Sequence, residues 1–143
     1  ENDSMKIIIN NSSSFDCFRM LSINQNSHLI DVRTKPEWDY VGIPDLSSIK
    51  KQVLCISWKI YPEMRVNKNF EKQIIKSNIK KNNNLYFICR SGKRSYDATK
   101  FLISKGYTNC FNVYDGFEGK LNQHHKRTSI DGWKFYNLPW KQQ

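Results

Sequence analysis

One short stretch concentrates reactive and charged side chains: Phe87-Ile88-Cys89-Arg90-Ser91-Gly92-Lys93-Arg94-Ser95. Cysteine is a nucleophile as its thiolate, so the question is whether the surroundings favour the anion. The residues before it, Leu85 to Cys89, are apolar at every position, as in a strand buried on both faces. After it, Ala98, Phe101 and Leu102 mark the buried side of a helix from about Ser95 to Lys105, and Gly106 suits its C′ cap. Cys89 therefore stands at a strand end, with a loop leading into a helix. Ligands of open α/β sheets bind beyond the carboxyl ends of the strands. A helix N-terminus offers free N–H groups and a dipole that favours an anion. Gly92 lets the chain curl with φ > 0, and such a curl forms an anion nest. Arg90, Lys93 and Arg94 add positive charge. Together these features make Cys89 a candidate nucleophile. The plainer alternative is a buried cysteine that merely ends a strand.

A second cluster, Asp31-Val32-Arg33 with Glu37, follows the β-rich run His28 to Val32. Arg33 and Glu37 are expected to pair across one short turn. With Asp31 they would support the loops around Cys89. No histidine is placed as a general base: His28, His124 and His125 read as surface or packing residues, and a thiolate needs no such base. Cys17, Cys55 and Cys110 read as core residues. The absence of a C-x-x-C pair speaks against a zinc site.

These groups need a frame. Lys6 to Ile9, His28 to Val32, Val53 to Trp58, Leu85 to Cys89 and Cys110 to Tyr114 read as strands. Between them, Phe15, Phe18 and Leu21 recur at helical spacing after the polar stretch Asn10 to Ser14. Pro36 suits the first turn of a short helix reaching Tyr40. An amphipathic helix is expected over Asn67 to Asn78, with Phe70 and Ile74 in one row. Pro62 and Met64 would shape the loop before it. Trp133, Phe135 and Trp140 would anchor the tail. Alternating strands and helices imply an α/β fold with a mainly parallel sheet.

The 143 residues suit one domain, expected over 5–143. Residues 1–4 precede Met5 and read equally as native chain or as a remnant of cloning. No apolar run approaches a membrane span of about 20 residues, and the N-terminus lacks the layout of a secretion signal. With no disulfide framework expected, the compartment reads as cytoplasmic. The formal charge is +10, but the basic residues are scattered and no nucleic-acid motif accompanies them. A soluble, lysine-rich surface explains this better than nucleic-acid binding, and the field can still draw small anions.

The loop C-R-S-G-K-R-S resembles the active-site loop of rhodanese-like domains. Three other stretches agree in order: L-I-D-V-R-T-K-P-E-W from Leu29, N-V-Y-D-G-F-E-G from Asn112, and G-W-K-F-Y-N-L-P-W from Gly132. The resemblance covers the chain from about Ser13 and implies a rhodanese-like fold with helices on both sheet faces. It implies a sulfurtransferase: Cys89 would take sulfane sulfur from a small anionic donor such as thiosulfate, hold it as a persulfide, and pass it to a thiol, cyanide or protein acceptor. Residues Arg90, Ser91, Gly92, Lys93, Arg94 and Ser95 would form the substrate and persulfide loop. Arg90 and Lys93 would attract the donor; Arg94 would do the same or brace the loop. No cofactor or metal is implied, and the chain could be monomer or dimer. Two departures bear on substrate choice: Gly42-Ile43-Pro44 lacks the family's usual histidine, and Asp115 stands where glycine is frequent. Related phosphatases use C-x5-R, whereas Cys89 and Arg94 are spaced C-x4-R, one residue too short for a phosphate cradle.

Overall fold

The computed structural model describes residues 7–143. Its centre is a five-stranded, wholly parallel sheet of β1 (Asn10–Ser12), β2 (Ser27–Asp31), β4 (Leu54–Cys55), β7 (Asn84–Ile88) and β8 (Asn109–Val113), in the order β1-β8-β7-β2-β4. Around it run α1 (Ser14–Ile23), α2 (Lys35–Tyr40), α3 (Phe70–Lys76) and α4 (Lys93–Ser104). Two antiparallel pairs complete the chain: β3 (Ile43–Pro44) with β9 (Trp140–Lys141), and the hairpin β5 (Lys59–Ile60) with β6 (Arg65–Val66). No helix among the described residues is long and apolar enough to cross a membrane.

The apolar run of β7 explains itself. Leu85, Phe87 and Cys89 enter one core with Phe70 and Ile74 of α3 and Ala98 and Leu102 of α4. Tyr86 and Ile88 enter the other, with Cys17 and Leu21 of α1, Phe117 and Trp133. Strand side chains alternate between faces, so a central strand covered on both must be apolar throughout. The helices lie on both faces, as expected.

Several boundaries moved. Of the expected strand Lys6 to Ile9, Lys6 lies outside the described residues and Ile7–Ile9 pair with no strand. The polar Asn10–Ser12 pairs instead, because backbone groups make the ladder with β8. Ser13 then caps α1, its side chain accepting from the Asp16 N–H. Phe15 faces solvent, and Cys17 and Leu21 carry the buried stripe of α1. The strand expected over Val53 to Trp58 is in the sheet only at Leu54–Cys55, although Ile56 and Trp58 still donate to Asp31 and Val32 carbonyls. The helix expected from Asn67 begins at Phe70, because the Asn67 side chain turns the chain by accepting from the Asn69 N–H. Pro62 and Met64 lie between β5 and β6. Cys55 is exposed at the sheet edge, not in the core. Trp133 is fully buried and donates Nε1–H to the Pro139 carbonyl at 2.7 Å, whereas Phe135 and Trp140 stay partly exposed.

The loop after β7 is clamped by the turn after β8. The Cys89 carbonyl accepts from Phe117 N–H at 2.8 Å, and the Arg90 carbonyl from Glu118 and Gly119 at 3.0 and 3.2 Å. The two backbones lie so close that side chains are excluded. A Cβ on Gly116 (φ +68°) would collide with the backbone of Arg90 and Ser91, and one on Gly92 (φ +103°) with the Tyr114 carbonyl. Left-handed backbone strain alone costs about 1–3 kcal/mol for a residue with a side chain. Gly116→Ala is therefore expected to lower the unfolding free energy by about 2 kcal/mol or more, read from urea denaturation.

Candidate active site

Cys89 directly follows β7, with its side chain buried against α4. Its Sγ lies 3.1 Å from the Gly92 N, 3.3 Å from the Ser95 N and 3.2 Å from the Ser95 Oγ. Both N–H groups donate to the sulfur. They come from the cap and first turn of α4, where no carbonyl of the helix can accept them. The sulfur thus sits on the positive end of a twelve-residue helix. Ser95 is buried and donates to the Asn112 side-chain oxygen at 2.5 Å, while Asn112 Nδ2 donates to the Gly92 carbonyl at 3.2 Å.

The three loop cations divide. Arg94 turns back and forms a two-pronged pair with Glu37, Nη1 to Oε1 at 2.7 Å and Nη2 to Oε2 at 3.0 Å. It braces α4 against α2. Arg90 and Lys93 are exposed and take part in no ion pair among the described residues. Ser91 is half-buried in the loop between them.

The expected pair of Arg33 with Glu37 does not form. Arg33 is fully buried and reaches Asp31 instead, at 2.7 Å from Nη2, with Nε 3.0 and 3.2 Å from the two carboxylate oxygens. Its Nη2 also donates to the Gly42 carbonyl at 2.6 Å, and its guanidinium lies 4.4 Å from the Phe117 ring centroid. This inward path leaves Glu37 free to face α4. Glu37 Oε1 also accepts from Thr34 N–H and Oγ1–H, fixing the start of α2. Asp31, Arg33, Glu37 and Arg94 therefore make two ion pairs, each tying a loop at the carboxyl end of the sheet.

Asn112 was not singled out by sequence reasoning. The available signal was a polar residue alternating with Cys110 in β8, level with Phe87 and so on the Cys89 side of the sheet. The other thiols are not gathered at the site. Cys17 and Cys110 are in the core, and burial pushes the Cys110 thiol up to about 12. Cys55 sits level with Asp31 two strands away, on the opposite face from Cys89. His28 meets Asn83 at the other end of β2.

Residues 9–143 match the family model of the STR4 middle domain. The chain belongs to that family. Its fold is that of rhodanese-like domains. An uncharacterized protein of Rickettsia prowazekii is 41% identical over 136 residues, covering 94% of this chain and 99% of that one. The crystal structure of Rv0390 from M. tuberculosis is 35% identical with a TM-score of 0.86, covering 96% of this chain and 100% of that chain. The polysulfide-sulfur transferase homodimer of Wolinella succinogenes shares the fold at 22% identity and a TM-score of 0.67, covering 94% and 80% of the two chains.

Glu37 makes the brace pH-sensitive. Burial pushes its carboxyl up, but the Arg94 hydrogen bonds and charge, with Thr34, override this and hold it at about 2 against an ordinary 4.5. A carboxyl lowered in the folded state contributes stability above its unfolded value and loses it as pH falls through the folded one. The wild type should thus exceed Glu37→Gln by about 1–2 kcal/mol at pH 7, allowing for partial solvent screening. That margin should shrink between pH 4.5 and about 2 in urea melts at stepped pH.

Proposed function

We propose that the protein is a sulfurtransferase that carries sulfane sulfur as a persulfide on Cys89, with thiosulfate or a similar small anion as donor. The observation that supports this most is the pair of backbone N–H donors aimed at the Cys89 sulfur from the α4 N-terminus. Donors so placed stabilise a thiolate, and equally a persulfide anion, without an ordered cation or base. Membership of the rhodanese-like fold and the C-R-S-G-K-R-S loop support the same reading.

The chemistry runs in two steps. The Cys89 thiolate attacks the outer sulfur of thiosulfate. A new S–S bond forms, the donor's S–S bond breaks, and sulfite leaves with the electron pair. Cyanide or a thiolate then attacks the outer sulfur of the persulfide. Thiocyanate or a new persulfide departs, and the Cys89 thiolate returns. Arg90 and Lys93 draw the anionic donor to the loop, since Arg94 is already engaged by Glu37. Asp31, Arg33 and Glu37 hold the surrounding loops and touch no reacting atom. A thiol on a cytoplasmic protein partner takes the place of cyanide in this reading.

A thiosulfate:cyanide assay, followed as thiocyanate, tests the reading. Wild type should turn over and Cys89→Ser should not, while neither hydrolyses p-nitrophenyl phosphate. Wild-type protein that is folded yet forms no thiocyanate would exclude thiosulfate as donor; phosphate ester hydrolysis would overturn the sulfur reading itself. Arg90→Ala combined with Lys93→Ala should raise KM for thiosulfate about tenfold and leave kcat nearly unchanged, because the two act on capture of the anion.

A further inference from the structure

Ser95 has one hydroxyl proton and two neighbours that could receive it. Its Oγ lies 2.5 Å from Oδ1 of Asn112 and 3.2 Å from Sγ of Cys89. The Asn112 amide has only one workable orientation, because its Nδ2 donates to the Gly92 carbonyl at 3.2 Å. Flipped, it would set two oxygens against each other there. Asn112 Oδ1 therefore carries no proton, and Ser95 must be the donor between them. The hydroxyl then turns only lone pairs toward Cys89. Lone pairs suit a thiol, whose S–H can donate to them, and oppose a thiolate. Thr99 fixes the Ser95 backbone by donating Oγ1–H to its carbonyl at 2.7 Å, so the hydroxyl rotor is the part free to change. Asn112, Ser95 and Cys89 are 4%, 0% and 1% exposed, which makes the choice of partner an internal one.

We propose that Asn112 is a positioning residue that holds the Ser95 proton away from Cys89 and so tempers the thiolate that the loop N–H groups favour. When Cys89 gives its proton to a buffer base, the Ser95 hydroxyl turns from Asn112 and donates to the sulfur. The cost of that turn is set by Asn112. The inference rests on Cys89 being the reactive group, but not on any particular sulfur donor.

The test is alkylation of Cys89 by iodoacetamide in the full chain at one neutral pH, followed by mass spectrometry of the Cys89 peptide. Alkylation reads the sulfur itself, so it remains informative even where no thiocyanate forms. Asn112→Leu removes the acceptor and frees the hydroxyl for the thiolate. A hydrogen bond to a charged sulfur favours the thiolate, and part of the gain is lost to weaker nucleophilicity, so alkylation should quicken about threefold to tenfold. Asn112→Asp keeps an acceptor oxygen and should be no faster than wild type. In a Ser95→Ala background, Asn112→Leu should change nothing further. A general loosening of the site would instead speed all three. Asn112→Val, a better strand former, carries the same expectation as Asn112→Leu should the latter not fold. The proposal is overturned by a folded Asn112→Leu or Asn112→Val protein alkylated no faster than wild type, or by an acceleration that persists without the Ser95 hydroxyl.

Discussion

The site depends on a backbone-to-backbone clamp. The carbonyls of Cys89 and Arg90 face outward from the loop and are taken by the N–H groups of Phe117, Glu118 and Gly119. With those carbonyls held, the N–H groups of Gly92 and Ser95 are left pointing at the sulfur. The planar peptide groups carry that constraint to the Arg90 and Ser91 N–H groups and so set the path on which the loop continues to Gly92. The clamp also dictates composition, because at Gly92 and Gly116 the backbones approach too closely for a Cβ.

Two ion pairs support that arrangement from beneath, and they differ in kind. Asp31 and Arg33 are wholly enclosed, and the guanidinium is further held by the Gly42 carbonyl and the Phe117 ring. Removing one partner of such a pair strands a buried charge, which is far more costly than the pair's net contribution. Glu37 and Arg94 are partly exposed and join the starts of α2 and α4. Phe117 links the systems: its N–H belongs to the clamp and its ring covers Arg33.

The alternation of strands and helices was readable because Leu85 to Cys89 is apolar at every position and Gly106 closes α4 with φ +95°. The candidate loop stood out because cysteine, glycine and three cations fall together in it. What escaped was partner choice. Arg33 has two carboxylates within a few residues, and only the path of its side chain beneath Gly42 decides for Asp31. Arg94 and Glu37 are far apart in the chain, so no local spacing could pair them. Ser12 and its neighbours join the sheet through backbone alone, which side-chain pattern cannot reveal. Asn112 looks like one polar residue in a strand until its register beside Phe87 puts it on the Cys89 side of the sheet, bonded to Ser95.

The clamp has a consequence for synthesis. Its donors come from residues 117–119, and the turn they occupy is itself tied down by Asp115, which accepts from both Ser14 and Gly132. Trp133 then donates its backbone N–H to the Gly116 carbonyl. Contacts so far apart in sequence form late, after their loop-closure entropy has been met. A chain growing from its N-terminus makes Cys89 before it can supply these partners. The cysteine is synthesised ahead of the groups that will surround it, and its nest is complete only when residues 115–133 have docked.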